Sequence, residues 1–178
     1  MEAYKEKDII KGCLQGEKAC QKKLFDLYAA KMLGVCVRYC KSVTEAEDVL
    51  QEGFIKVFTH IRSYHEKGSL EGWIRRIMIN TAINHLRKNK KFMYHEEIGS
   101  MQDLIEDEEQ SVDDYNLEVI LQCIQKLPEG YRTVFNLYEV EGYSHKEIAR
   151  MLSVSVNTSK SQLLKAKRQL KNLLQNKK

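Results

Sequence analysis

The stretch EIARMLSVSVNTSKSQLLKAKRQLKNLL, residues 147–174, decides the fold class of the C-terminal part of the chain. Its apolar residues follow helical spacing up to Leu152, and the same spacing resumes after Ser155. The residues between them, 153–155, predict a tight turn, and Ser155 is of a type favoured at helix N-caps. Two helices joined by so short a turn are typical of the helix-turn-helix motif, which places its second helix in the major groove of DNA.

The second helix of this motif is basic on its predicted outward side. Its apolar residues, among them Leu163, Ala166 and Leu170, are expected to face inward. Residues near its N-terminus would reach base edges, whereas Lys165 and Arg168 would meet phosphates. The candidate DNA-binding set is Ser155, Asn157, Thr158, Lys160, Ser161, Gln162, Lys165 and Arg168. Many small helical domains imitate this motif, so an ordinary solvated basic helix stays open at this point.

Helices are also predicted through the N-terminal half, at about 5–15, 17–41 and 44–61. Leu24, Leu27 and Tyr28 are expected on one side of the second helix. The third, TEAEDVLQEGFIKVFTHI, has amphipathic spacing, and Thr44 and Glu47 predict a capping box at its start. Its other side groups an isoleucine with polar residues that are mostly acidic: Asp48, Gln51, Glu52 and Ile55. Such an isoleucine is either incidental exposure or the centre of a protein-docking patch, and the pattern leaves both open.

A fourth helix, predicted at 70–91, carries two separate stripes. Apolar residues recur every four positions and predict the buried side: Ile74, Met78, Ala82 and Leu86. The other stripe contains no acid: Arg76, Asn80, Asn84, Arg87 and Lys91. Arginine and asparagine read phosphates and base edges, so this stripe favours nucleic acid over a solvated side. In the preceding loop, 62–69, Tyr64 and His65 are able to stack on unpaired bases, although a plain connecting loop is the alternative.

Charge is strongly segregated along the chain. Residues 1–102 carry 18 basic and 13 acidic groups, whereas 103–121 carry 8 acidic groups and no basic one. Residues 122–178 carry 11 basic and 4 acidic groups. The acidic stretch is the best linker candidate, because like charges and low apolar content disfavour packing. Basic segments on either side of it indicate a polyanionic partner.

Several classes of protein are disfavoured. No apolar run reaches the length of a membrane span, and the start, MEAYKEKDII, lacks the apolar stretch of a signal peptide. We therefore expect a cytoplasmic protein without membrane insertion. The 5 cysteines form no CxxC pair, and Cys36 and Cys40 are expected to be small buried apolar residues rather than metal ligands. The scattered histidines match no catalytic motif, so we expect no enzyme, no cofactor and no metal.

Capping residues and a helix-ending glycine mark the two helices that come before the turn at residues 153–155. Pro128 is expected in the first turn of a helix that Gly142 ends, and Ser144 and Glu147 predict a capping box for the next.

Motifs in both halves of the chain resemble one family, the extracytoplasmic-function (ECF) type of bacterial RNA polymerase sigma factor, of the sigma-70 family. In the N-terminal half they are AEDVLQEGF (46–54) and Trp73, Ile74, Arg76, Ile77, Asn80, Ile83 and Arg87. In the C-terminal half they are LPEGYRTVF (127–135), EGYSHKEIARML (141–152) and SVNTSKSQLLKAK (155–167). The resemblance covers nearly the whole chain, with the segments in the family's order.

The resemblance implies an all-α protein of two small helical domains. An N-terminal helical bundle, 1–97, would be sigma region 2, an acidic linker would span 98–115, and a helix-turn-helix domain, 116–178, would be region 4. The implied function is promoter-specific initiation with RNA polymerase core. Asp48, Gln51, Glu52 and Ile55 would dock on the polymerase's clamp helices. The loop 62–69 with Arg76, Asn80, Asn84 and Arg87 would recognise and melt the promoter −10 element, and the last helix would read the −35 element in duplex form. The linker would thread the RNA path, and an anti-sigma factor is a further implied partner.

The chain departs from the family's pattern at several positions. Leu70 stands where the family often has phenylalanine, Asn84 where it often has aspartate, and Asn157 where it usually has glycine. Ser159 replaces a valine, which predicts a weaker packing contact, and Gln162 replaces an arginine, which removes a cation. The alternative function is a helix-turn-helix regulator that binds DNA without docking on polymerase core.

Overall fold

Helices form the regular structure of the chain. The computed structural model describes residues 6–89 and 117–175, and within these ranges it contains α-helices and no β-strand, so the all-α prediction is confirmed. Packing divides the chain into two compact units, Met1–Asn89 and Lys90–Lys178. The first unit contains α1 (Glu6–Leu14), α2 (Lys18–Val37), α3 (Val43–His60), a 3₁₀ turn (Ile61–Ser63) and α4 (Leu70–Asn89). The second contains α5 (Leu117–Gln125), α6 (Glu129–Phe135), a π-helical turn (Asn136–Val140), α7 (His145–Leu152) and α8 (Val156–Gln175).

The core of the N-terminal unit lies between α2, α3 and α4. The apolar residues predicted to face inward on α4 are all buried: Ile74, Met78, Ala82 and Leu86. Those of α3 are buried too, with Phe58 half-buried at the edge: Ala46, Val49, Leu50, Phe54 and Val57. Phe54 packs against Phe25 of α2 with ring centroids 4.7 Å apart. The helical periodicity therefore predicted both faces of α3 and α4 correctly.

Gly53 leaves room on α3 for a side chain of α4. A Cβ added at Gly53 would collide with the sulfur of Met78, whose side chain is fully buried. A glycine inside a helix costs up to about 1 kcal/mol relative to alanine. Here the missing methyl makes room for the methionine of the neighbouring helix.

The start of α3 differs from the prediction. The N-cap is Ser42, not Thr44, and its hydroxyl accepts a hydrogen bond from the Glu45 N–H at 3.1 Å. Both serine and threonine stand three residues before a glutamate, so the sequence pattern fits either start. Glu45 accepts from the Lys41 N–H at 2.7 Å, which satisfies a backbone donor just before the helix.

Helix α2 differs from the prediction in two respects. Leu24 is buried and Tyr28 is half-buried, but Leu27, expected on the same side, is 58% exposed. The helix also ends at Val37 rather than at 41. Cys36 and Cys40, expected to be small buried residues, are both buried.

The C-terminal unit packs around α8, which contacts α5, α6 and α7. Pro128 is the N-cap of α6 rather than part of its first turn. Gly142, with φ +75°, follows the π-helical turn and ends this helical segment as predicted. The predicted linker, 98–115, and Lys91 lie outside the described residues, so the linker and its bounds stay predictions.

Candidate functional surfaces

Helix α3 presents the predicted group of polar and apolar residues on its outer side. We call Asp48, Gln51, Glu52 and Ile55 the α3 patch. Asp48, Gln51 and Ile55 are exposed, Ile55 at 65%, whereas Glu52 is half-buried. The structure therefore brings the four residues together on a surface with an isoleucine that the core does not use.

Lys56 holds the Glu52 carboxylate of the α3 patch in place. Its ammonium donates to Glu52 Oε1 at 2.7 Å and to the Thr81 hydroxyl of α4 at 3.2 Å. The hydrogen bond from Lys56 lowers the pKa of Glu52 below its usual value, with burial opposing the shift. Glu52 is thus held in its charged form. The spacing of Glu52 and Lys56 is the i,i+4 pattern of helical ion pairs, so this contact could have been predicted from the sequence.

The α4 stripe, defined as Arg76, Asn80, Asn84 and Arg87, is exposed along its length. The opposite side of the same helix holds the buried core residues named above. The exposed side chains of the α4 stripe and the buried core side chains therefore lie on one helix, and packing of the core side fixes the position of the exposed side.

A hydrogen bond joins α3 to α4, the two helices that carry the α3 patch and the α4 stripe. His85 Nε2 lies 2.9 Å from Glu45 Oε1, and both side chains are largely covered. Burial alone would raise the pKa of Glu45, but hydrogen bonds from the Lys41 N–H and from His85 hold it below its usual value. The two residues are 40 positions apart, so nothing in the sequence pairs them.

The two aromatic residues of the loop between α3 and α4, Tyr64 and His65, have different environments. Tyr64 is half-buried, and its ring lies against that of Trp73 with centroids 5.5 Å apart. The Tyr64 hydroxyl donates to the Gly68 carbonyl at 2.7 Å. His65 is exposed.

The helix-turn-helix has the predicted boundaries. Helix α7 begins with a reciprocal capping box between Ser144 and Glu147 and ends at Leu152. The turn of residues 153–155 begins with Ser153 in the left-handed conformation, at φ 57°. The Ser155 hydroxyl then accepts from the Thr158 N–H at 2.9 Å, which confirms the predicted N-cap of α8.

The outward side of α8 matches the predicted set in part. Asn157, Lys160, Ser161 and Arg168 are exposed, and Lys165 is half-buried. The Thr158 hydroxyl turns back to that of Ser155, 2.8 Å away. Gln162 is half-buried towards Gly130 of α6, and its Oε1 is enclosed without a hydrogen bond from the described residues. Thr158 and Gln162 are therefore less outward than their helical positions indicated.

Ser159 makes a contact that the sequence did not reveal. It is fully buried, and its hydroxyl lies 2.9 Å from His145 Nδ1 at the start of α7. The His145 ring stacks on Tyr138 with centroids 4.5 Å apart. Burial, and then the charge of Lys160, lower the pKa of His145 below 6.5. The serine that was expected to weaken packing thus ties the two helices of the motif through a hydrogen bond.

Comparison with known families covers both units. The model of sigma-70 region 2 matches residues 24–92, and that of sigma-70 region 4 matches 117–170. The chain belongs to the sigma-70 family. The α3 patch, the loop 62–69 and the α4 stripe all lie within the region 2 match, and the region 4 match contains α7, the turn and α8 as far as residue 170. Helix α1 precedes the region 2 match.

Curated relatives place this sigma factor in the ECF group. It is 32% identical to the RNA polymerase sigma-H factor of Pseudomonas aeruginosa, over 86% of this chain and 88% of that one. It is 30% identical to the ECF RNA polymerase sigma factor SigW of Bacillus subtilis, over 94% and 96% of the two chains. Identity to the ECF RNA polymerase sigma-E factor of Haemophilus influenzae is 27%, over 98% and 97%. Sigma factors are initiation factors rather than enzymes, and this chain accordingly acts in promoter-directed transcription initiation.

Solved structures show the same fold at lower sequence identity. The sigma factor RpoE of Bartonella quintana, solved with the anti-sigma factor NepR, has a TM-score of 0.53 at 18% identity, over 86% of this chain and 96% of that one. CnrH, solved with the cytosolic domain of CnrY, has a TM-score of 0.51 at 17% identity, over 96% and 97%. None of the helices in the described ranges of this sigma factor is both long and apolar enough to cross a membrane.

Proposed function

We propose that this sigma factor docks on RNA polymerase core through the α3 patch, melts the promoter −10 element with the loop 62–69 and the α4 stripe, and reads the −35 element with α8. Its site of action is then the cytoplasm, where polymerase and DNA meet. The observation that carries the proposal is the clean division of α4. An acid-free row of arginine and asparagine side chains faces away from a core that the same helix holds in place.

Docking on polymerase explains a residue that neither folding nor DNA binding uses. Ile55 is 65% exposed, yet it stands among polar and acidic side chains, one of which, Glu52, is held by Lys56. An apolar anchor with a polar rim is the composition of a protein interface. Binding to DNA alone would give no reason for an acidic surface here, because phosphates repel carboxylates.

The melting step has an energetic requirement that the chain alone does not meet. Opening a duplex loses about 1.4 kcal/mol of stacking per base-pair step. Stacking one unpaired base on an aromatic side chain returns about 1–3 kcal/mol. His65 is the exposed aromatic ring in the loop, and the α4 stripe supplies the hydrogen bonds and charges for the separated strand. Holding several melted pairs therefore requires the polymerase as well.

Reading of the −35 element is assigned to the first turns of α8. Asn157, Lys160 and Ser161 project from the exposed side nearest the capped N-terminus, where recognition helices contact base edges. Lys165 and Arg168, one to two turns further on, are placed for phosphates, which fix register without selecting sequence. Ser155 and Thr158 position this end through the cap, and the enclosed amide of Gln162 is expected to contribute less than its outward position suggested.

Two further parts of the proposal rest on family membership and sequence. The acidic linker 98–115 would thread the polymerase's RNA path, where its charge imitates nucleic acid. An anti-sigma factor is proposed as a regulatory partner. Co-purification from the native host, with and without crosslinking, would identify such a partner.

The decisive experiment compares two templates. Asn80→Ala and Arg76→Ala should leave folding intact and reduce run-off transcription from a duplex promoter. The loss should shrink on a template whose −10 bases are already mismatched, because the melting cost has been removed there. Asn172→Ala, which removes an amide from an exposed position of α8, is the matched control and should behave as the unsubstituted protein on both templates.

The outcomes separate the possible roles of the α4 stripe. An equal loss on both templates would indicate recognition of bases or phosphates without a role in melting. No loss on either would show that the stripe is only solvated, and the assignment of α4 would be withdrawn. Core binding is measured separately, so that a docking defect is not mistaken for a melting defect.

A further inference from the structure

The loop between α3 and α4 is closed on itself by one tyrosine. The Tyr64 N–H donates to the Ile61 carbonyl at 3.1 Å, and its hydroxyl donates to the Gly68 carbonyl at 2.7 Å. Tyr64 thus joins the beginning of the loop, through its backbone, to the end of the loop, through its side chain. Gly68 adopts φ +145°, a conformation that side-chain-bearing residues rarely reach, so the acceptor end has a shape that only glycine accommodates without strain.

The closed loop is also anchored to α4. The Tyr64 ring lies against Trp73 at an angle of 47°, in the tilted arrangement that aromatic pairs favour. Ser69 accepts from the Gly72 N–H at 3.1 Å and so caps the first turn of α4. Tyr64 therefore presents its ring to the protein, and its hydroxyl is already used.

The residues between the two ends of this closure, 65–67, are all exposed. Glu66 stands in the left-handed conformation at φ 55°, which turns the chain sharply at the tip. Lys7 of α1 lies 3.9 Å from the Glu66 carboxylate. His65 is the aromatic member of this exposed tip.

We propose that Tyr64 is a positioning residue, which holds the tip in one bend so that His65 faces the melted base. This inference rests on the proposed function, and it replaces stacking by Tyr64 with positioning by Tyr64. A loop that is ordered before binding avoids the entropic cost of becoming ordered when the base arrives. The hydroxyl of Tyr64 supplies that order without touching the DNA.

The test compares Tyr64→Phe, which keeps the ring and removes the hydroxyl, with His65→Ala. Tyr28→Phe is the control, because it removes a tyrosine hydroxyl bonded at 2.8 Å to Glu6, in the same unit but outside the loop. Holoenzyme activity is measured on pre-opened templates that carry each of the four bases at each unpaired −10 position. Thermal unfolding is measured in parallel.

We expect Tyr64→Phe to lower activity with the preferred base about fivefold, the factor that corresponds to one lost neutral hydrogen bond. It should also flatten the base preference at the same position as His65→Ala does. The unfolding temperature should fall no further than it does for Tyr28→Phe, which loses a tyrosine hydroxyl hydrogen bond of the same kind. Tyr28→Phe should keep the full preference. Gly68→Ala disturbs the acceptor without altering an aromatic residue, and it should flatten the preference in the same way.

The other outcomes overturn specific statements. If His65→Ala flattens the preference and Tyr64→Phe does not, the positioning role is wrong and base capture by the loop stands. If Tyr64→Phe alone flattens it, Tyr64 itself contacts the base. If neither has an effect, the loop does not capture a base, and both the inference and that part of the proposed function fail.

Discussion

Replacement of Ile55 by glutamate should separate binding to polymerase from folding. Full burial of an isoleucine side chain stabilises a protein by about 1.5–3 kcal/mol. Ile55 is 65% exposed in the free protein, so only about a third of that value, about 0.5–1 kcal/mol, is available to folding. Ile55→Glu should therefore leave the N-terminal unit folded.

The same numbers give a much larger effect on docking. An interface that covers Ile55 would gain the remaining two thirds, about 1–2 kcal/mol, and glutamate would lose this gain. An unpaired carboxylate enclosed at that point adds a desolvation cost of at least about 1–3 kcal/mol. Together these predict a loss of about 2–5 kcal/mol, which is at least about 30-fold in Kd for polymerase core.

The chain offers a matched control for this experiment. Leu27 is an apolar residue of the same unit, 58% exposed on α2 and outside the α3 patch. Leu27→Glu introduces the same charge with the same small effect on folding. Fluorescence anisotropy of labelled protein titrated with core would measure both affinities, and thermal unfolding would check the fold.

Three results would refute this reasoning. Unchanged affinity for Ile55→Glu would show that the α3 patch is not a docking surface. Equal losses for Ile55→Glu and Leu27→Glu would show a general effect of negative charge. Unfolding by Ile55→Glu alone would mean that the residue supports the core far more than its exposure indicates.

Three further predictions follow from described contacts. Gly53→Ala should destabilise the N-terminal unit, because overpacking costs about 1–3 kcal/mol and the gain in helix propensity returns only about 1 kcal/mol. Gly34→Ala should stabilise the unit, because a Cβ at Gly34 meets no atom within 4 Å. Opposite shifts in the thermal unfolding temperature would confirm both expectations. The folded-state pKa of His145 lies below its unfolded value of 6.5, so its contribution to stability is present above pH 6.5 and is lost as the pH falls below that value. His145→Phe should therefore lose less stability when the pH is lowered from neutral, and parallel stability curves would contradict this. Lys165→Ala should weaken binding to all promoters and reduce the salt slope by roughly 1, whereas Asn157→Ala should change the preferred −35 sequence; identical preference profiles would show that α8 does not read bases.

Local signals allowed much of the fold to be predicted. Ser144, Glu147 and Ser155 cap their helices through neighbours in the chain, so the boundaries of the helix-turn-helix were legible. The start of α3 was misplaced because Ser42 and Thr44 both satisfy the same local pattern. Choosing between them requires the position of α4, whose His85 hydrogen-bonds Glu45. The sequence of α3 alone does not contain that information.

Residues at the candidate surfaces were predicted where a periodic pattern exposes them, as for Asn80 and Ile55. The orientation of a side chain was not predicted where it turns back onto the protein. Tyr64 bonds to Gly68 and lies against Trp73, and Gln162 turns towards α6. The position of a residue in a helix determines the direction of its Cα–Cβ bond. The orientation of the end of a long side chain depends on contacts that form only in the tertiary structure.

The order of packing in the N-terminal unit has a consequence during synthesis. Helix α1 packs on α2, α2 on α3 and α3 on α4, so most contacts join neighbours in the chain. Helical bundles with such local contacts fold in microseconds to milliseconds. The residues after Asn89, Lys90–Lys178, take about 4–18 s to translate at the usual rate of about 5–20 residues per second. A nascent chain would therefore display the α3 patch for seconds before α8 exists. With the docking and reading roles proposed above, a chain released early, after α4, would occupy polymerase core without a −35 reader and would compete with the complete sigma factor.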